Sequence, residues 1–293
     1  MKPRIILLAI APTLIWGSSW FAIKFQLGSV SPLISISYRF LLAGILILGY
    51  AVFTGKKLSY NWKNHILFGL LGLFLFGLNY ALVYEAEHTL TSGLIAVIYS
   101  SIIVMNVINT SLFLGKKLDK RLLMSAVLAV SGTALLFVPE FRGIKSGPEF
   151  WIAILLGISS VYSASLGNIV SASLQMRKID VVPSTGIAMC YGGSIMALAS
   201  LAQGHTFELP LTSAYLISLV YLALFASIIA FISYLLLLGE VGPERSAYVL
   251  VLIPAISMGI SVIFEGYEFG ISSLVGLVLI VFSNIYTLRL PNQ

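Results

Sequence analysis

Two cations lie inside apolar runs long enough to cross a bilayer, Lys24 in the first run and Arg39 in the second. A cation at that depth costs roughly 2.5–3.5 kcal/mol on insertion scales, so its retention asks for a role. Lys24 falls within about a turn of the end of its run, and Arg39, seven residues past Pro32, stands about 10 Å deep. Snorkelling to the interface would accommodate Lys24 without any function, and a structural pair would do the same for Arg39. An outward gate, or a handle for a substrate carboxylate, would use both. The acids nearest to bilayer depth are Glu85, ending the third run, and Glu265, ending the ninth. Arg39, Glu85 and Glu265 are therefore the expected gating or coupling groups, with an ion pair from Lys24 or Arg39 to Glu85 as the natural contact.

Aromatic and amide side chains extend this set. Trp16, Trp20 and Lys24 recur every four residues and share one helix face, with Ser19 beside them and Pro12 one turn below. Later runs hold Asn79, Tyr80, Tyr84, Tyr99, Asn106, Tyr162, Asn168, Tyr234 and Tyr248. Aromatic faces pack the apolar parts of a solute or attract cations, while hydroxyls and amides fix its orientation. Together these residues are expected to line a cavity for a small amphipathic molecule. Trp62, Trp151, Tyr50 and Tyr60 sit near run ends and read as an interfacial belt.

Other chemistries are poorly served. His65, His88 and His205 lie at membrane edges, no His-Glu-x-x-His occurs, Asp119 and Asp180 fall in loops, and Cys190 is alone. No metal and no cofactor is expected. No Walker motif encodes ATP hydrolysis, and the carboxylate rings of an ion pathway are missing. An intramembrane enzyme and a non-transporting scaffold or sensor are the alternatives; a scaffold would fill the cavity with packed side chains.

The elements that must position these groups follow from composition. Of 293 residues, 59% are hydrophobic and 10% charged, with mean hydropathy +1.01, whereas soluble domains carry roughly 25% charge. This is an all-α membrane protein, and its partners are the lipid bilayer and a small-molecule substrate. The net charge of +6 is spread in short pairs between apolar runs, which argues against nucleic acid. About 20 apolar residues span the hydrocarbon core, giving ten transmembrane helices: 5–25, 33–53, 65–84, 91–113, 121–138, 150–172, 183–203, 213–237, 246–264 and 272–288. The basic N-terminus imitates a signal peptide, but its apolar run continues for some twenty residues and reads as a retained first span.

Placing the N-terminus inside puts thirteen of the 17 Lys and Arg in cytoplasmic loops and only Arg142 and Lys145 outside. That asymmetry predicts cytoplasmic termini. The Pro139–Pro148 break is the midpoint linker, dividing the chain into 1–142 and 148–293. A shift of 151 residues lays Ser125 on Gly276 and Gly132 on Ser283, and it exchanges the basic loops: Lys116 and Lys117 meet Tyr267 and Glu268. Five spans per copy is an odd number, so the expectation is two inverted five-helix repeats, a layout that places the site between copies near the midplane. Under the same shift the opening stripe meets Gly167–Gln175, which has no tryptophan and no cation. The first copy should then supply the aromatics and the charge, and the second mainly hydroxyls and Asn168. Glycines such as Gly44, Gly72, Gly192, Gly193 and Gly276 are expected to let helices approach closely, with bending at Gly192-Gly193 and Pro254 as a secondary role.

The pieces Trp16-Gly17-Ser18-Ser19-Trp20-Phe21-Ala22-Ile23-Lys24, Tyr38-Arg39-Phe40 and Gly239–Ala247, with Pro254 in the ninth span, resemble the EamA family of the drug/metabolite transporter superfamily. The resemblance covers nearly the whole chain as two EamA-type repeats. It implies a ten-helix bundle with a central cavity and export or exchange of small metabolites, often amino acids, across the inner membrane. Amino acid export is the best specific guess; proton coupling and uncoupled flux stand level. Where the family has a proline in the fourth helix and a Gly-Glu-Arg near its end, this chain has Ser100-Ser101-Ile102-Ile103 and Gly115-Lys116-Lys117. The missing proline predicts a straighter fourth helix.

Overall fold

The computed structural model describes residues 3–26, 28, 30–90, 92–138, 147–264 and 270–289, and every regular element among them is helical. The first half holds α1 (Pro3–Lys24), α2 (Pro32–Phe53), α3 (Trp62–Leu71), a π-helical stretch (Gly72–Leu78), α4 (Asn79–Glu87), α5 (Ser92–Ser100), α6 (Ile102–Leu114) and α7 (Lys120–Leu136). The second holds α8 (Pro148–Met176), α9 (Val181–Ala202), α10 (Ser213–Tyr221), a second π-helical stretch (Leu222–Ile229), α11 (Ala230–Val241), the single turn α12 (Pro243–Ser246), α13 (Tyr248–Phe264) and α14 (Ile271–Arg289). Six stretches are long and apolar enough to cross a membrane: Pro32–Phe53, Trp62–Glu87, Leu94–Leu114, Pro148–Met176, Val181–Ala202 and Ser213–Val241. Pro3–Ser19 and Ile271–Thr287 are shorter apolar helices.

Local chemistry sets where these helices begin. Asn61, Asp119 and Asp180 stand just before α3, α7 and α9, and each side chain accepts a hydrogen bond from a first-turn backbone N–H, at 3.0, 2.9 and 2.9 Å. Pro32, Pro148 and Pro243 open their helices, where the missing N–H is no loss.

The fourth span is broken rather than straight. Ser101 separates α5 from α6, and the hydroxyls of Ser100 and Ser101 bond back to the carbonyls of Val97 and Ile98 at 2.7 and 2.6 Å. Adjacent serines bonding to their own backbone interrupt the ladder here without a proline.

Lipid supplies no hydrophobic drive between helices, so close packing and interhelical hydrogen bonds must hold them together. The equivalent helices of the two halves meet each other. Along α2 and α9, Gly193 abuts Leu41, Gly44 abuts Gly186 and Cys190, and Gly186 abuts Ile47, so the two run antiparallel. Along α7 and α14, the Ser125 hydroxyl donates to the Ser283 carbonyl at 2.9 Å and Gly132 abuts Gly276, again antiparallel. The first helix of each half crosses over: α1 packs on α11 and α13, and α8 packs on α4 and α6. The two π-helical stretches begin 150 residues apart, at Gly72 and Leu222. Large apolar side chains such as Leu7, Phe53, Leu112, Leu155, Leu198 and Ile217 point outward, the surface that lipid demands.

Candidate functional site

Arg39 marks one end of the site. On α2 it is 4% exposed, its Nε donates to the Ser227 hydroxyl at 2.8 Å, and its guanidinium lies 5.1 and 5.2 Å from the ring centres of Phe40 and Tyr80. No ion pair among the described residues includes it. Ion pairs among the described residues include Arg4–Glu240, Lys56–Asp180 and Lys116–Glu244, each joining the first half to the second. Glu85 is exposed and is not the partner expected for Arg39, because its helix face turns outward. Glu87 instead is partly buried, with Oε1 lacking any hydrogen-bond partner.

A cluster of rings fills the space beside Arg39. Phe231 on α11 packs edge-on against Trp16 (4.8 Å), Phe76 (5.0 Å) and Phe40 (6.4 Å), and Phe40 packs against Tyr80 at 5.1 Å. The Trp16 indole N–H donates to the Ala226 carbonyl at 2.9 Å, next to the serine that holds Arg39. Both halves thus contribute rings and hydroxyls. The aromatics do not come from the first half alone, because Phe231 and Tyr234 on α11 follow Ser227 of the preceding π-helical stretch into the same cluster.

A polar nest lies beyond the rings. Trp16 packs edge-on against Tyr234 at 5.5 Å, and the Tyr234 hydroxyl sits among Asn106, Asn168 and Ser246. Tyr234 is seven residues past Ser227, about 10 Å along the helix. The Asn106 amide donates to the Pro243 carbonyl at 2.9 Å, an oxygen presented by the turn at Gly242, whose φ of +88° suits glycine. Asn106 Oδ1, both polar atoms of Asn168 and the Tyr234 hydroxyl are buried without hydrogen-bond partners. Such groups cost about 1–3 kcal/mol each when left unmet.

A cavity of about 660 Å³ opens one turn further along, lined by Thr110, Ala172, Gln175, Leu238, Pro243 and Glu244 among others. Thr110, Ala172 and Leu238 each follow a nest residue by four positions, so Asn106, Asn168 and Tyr234 lie buried about one turn behind this wall. Lys116, Lys117, Asp119, Glu240 and Arg245 stand at its mouth.

The remaining expected residues lie elsewhere. Asn79 and Tyr99 bond to each other, and Ser160 on α8 ties both, donating to Asn79 Oδ1 at 2.9 Å and lying 3.1 Å from the Tyr99 hydroxyl. Tyr248 donates to the Leu122 carbonyl at 3.1 Å, joining α13 to α7. Ser19 bonds back to the Trp16 carbonyl at 2.9 Å. Tyr84 packs partly buried against the core near Tyr80. Tyr162, 44% exposed, faces outward and lines nothing. Trp20 and Lys24 belong to α1, but their side chains lie outside the described residues, as does Glu265. The sequence reading missed Phe40, Phe76, Phe231, Ser227 and Glu87. A signal existed for two of them: Ser227, Phe231 and Tyr234 recur at i, i+4 and i+7.

A bundle of apolar helices that buries a cation, a ring cluster and two amides, with a cavity about one turn from the amides, has the build of a membrane transporter. Residues 3–138 and 151–289 each match the EamA-like transporter family, and the chain belongs to that family. It is 32% identical over 232 residues to the uncharacterized inner membrane transporter YedA of Escherichia coli, covering 78% of this chain and 72% of that one. It is 23% identical to protein PagO of Salmonella typhimurium over 99% and 95% of the two chains. A crystal structure with 16% identity superposes over 98% of this chain and 96% of its own, at a TM-score of 0.81. The fold is shared along its whole length.

Proposed function

We propose that this membrane transporter is a secondary carrier that exports small amphipathic metabolites, amino acids foremost, by alternating access across the inner membrane. The observation that carries the reading is the line of groups through the bundle. It runs from the cavity through the polar nest and the ring cluster to Arg39, which is buried without a carboxylate partner. A cation held by a neutral hydroxyl and two ring faces keeps its charge available for a substrate carboxylate.

The antiparallel pairing of α2 with α9 and α7 with α14 supports a second half turned over relative to the first. The basic residues Lys116, Lys117 and Arg245 around the cavity support a cytoplasmic mouth and cytoplasmic termini. In that orientation the cavity opens inward, and the rings of Trp16, Phe40, Phe76 and Phe231 close the outward path.

The test is flux in reconstituted vesicles across a panel of amino acids, organic acids, amines and sugars, with and without a pH gradient. Wild-type protein should move at least one amphipathic class, and Arg39→Ala should lose most of that flux while remaining folded. Absence of flux for every solute would refute the carrier reading.

A further inference from the structure

Buried about one turn behind the cavity wall, the polar nest holds oxygens whose hydrogen-bonding capacity is not met with good geometry. The orientation of the Asn106 amide is fixed, because its Nδ2 is spent on the Pro243 carbonyl, so the atom left over is an acceptor. Neither polar atom of the Asn168 amide has a well-aligned hydrogen-bond partner, and the Tyr234 hydroxyl has only the loose approach of Ser246, Asn168 and Asn106. All three residues are at most 1% exposed, and Tyr234 lies within reach of both amides. No formal charge belongs to the nest itself. On the cavity wall the Glu244 carboxylate receives Lys116 at 3.1 Å and the Thr110 hydroxyl at 3.3 Å.

Such a set suits one kind of guest. An anion could use the Asn168 N–H groups and the Tyr234 hydroxyl, but the formal charge of Arg39, about 10 Å away along the helix, is the stronger partner for it. A primary ammonium has three donors and no acceptor, and a hard alkali cation takes oxygen ligands.

We propose that Asn106, Asn168 and Tyr234 form a site for a compact monovalent cation held by neutral oxygens. In use the cation is the primary ammonium of a cargo molecule or an alkali ion carried with it. Its role in transport rests on the carrier reading above, whereas the binding itself does not.

The experiment uses the purified full-length protein in detergent. Thermal unfolding is followed at constant ionic strength while choline is replaced by butylammonium or sodium, with neutral N-butylacetamide as the control. The expected result is a saturable rise in melting temperature with butylammonium or sodium that choline and N-butylacetamide do not give. Asn168→Asp should tighten that binding at least tenfold, and Tyr234→Phe should weaken it severalfold. A response to butylammonium alone assigns the site to cargo; a response to sodium assigns it to a carried ion. A flat response to both, or one that N-butylacetamide reproduces or that survives Asn168→Leu and Tyr234→Phe unchanged, overturns the site. Flux without cation binding would sink this site and leave the carrier standing. Cation binding without flux of any solute would do the reverse.

Discussion

The Arg39 guanidinium reaches across the bundle to the hydroxyl of Ser227, Nε to Oγ at 2.8 Å, joining residues 188 apart in sequence. Neither group has water to fall back on. Ser227→Ala should therefore cost about 1.5–3 kcal/mol, the range for hydrogen bonds to charged groups, read as a lower melting temperature in detergent. Arg39→Met removes charge and donor together and should cost less stability than Ser227→Ala while losing more flux. Equal flux in wild type and Arg39→Met would remove Arg39 from the transport path.

Close backbone approach gives a second prediction. A Cβ on Gly72 would stand 2.4 Å from the Ala188 carbonyl and 2.8 Å from the Gly192 nitrogen, so α9 would have to move away. Gly72→Ala should destabilise by about 1–3 kcal/mol. Gly49, also on a helix, has open space around it, and Gly49→Ala should be neutral or slightly stabilising. By the same contacts Gly192 and Gly193 let α9 approach the first π-helical stretch and α2 closely. The comparison is a pair of thermal melts.

Glu87 concerns proton coupling. A partly buried carboxyl with an unmet oxygen can change its protonation as the path opens. If protons drive the carrier through it, wild-type flux should depend on the pH gradient and Glu87→Gln should make flux indifferent to pH. Glu85→Gln, altering an exposed group, should leave the pH profile unchanged. A flat wild-type profile would indicate uncoupled flux.

The Lys116–Glu244 pair has side-chain exposures of 47% and 13%, so it adds little stability, about 0–1 kcal/mol. Its effect should appear in access instead. In a Cys190→Ser background carrying Thr110→Cys, Lys116→Ala should raise the rate of thiol labelling from the cavity severalfold. The exchange Lys116→Glu with Glu244→Lys should return it toward the starting value.

Much of the architecture is written locally and was legible for that reason. Run lengths mark the helices, Asp119 and Asp180 mark helix starts, and a cation at Arg39 is conspicuous in an apolar run. What the cation touches is not local. Ser227 is one serine among many, and only the crossing of α2 with the second π-helical stretch selects it. Phe231 looks like lipid-facing Phe53 until its helix face is known. Glu85 and Glu87 differ by two positions, roughly 200° around a helix. That rotation decides which acid is sheltered. The π-helical stretches arise from plain apolar sequence, and nothing in Gly72–Leu78 distinguishes it from an ordinary turn.

The crossover of α1 onto α11 and α13 bears on how the molecule is made. The helix α1 leaves the ribosome well before its lasting neighbours, which lie about 200 residues downstream. At about 5–20 residues per second it waits roughly 10–40 s in the bilayer before they arrive. During synthesis Trp16 and Ser18 therefore face lipid or an insertion chaperone, and the bundle's centre is sealed only once most of the second half has entered.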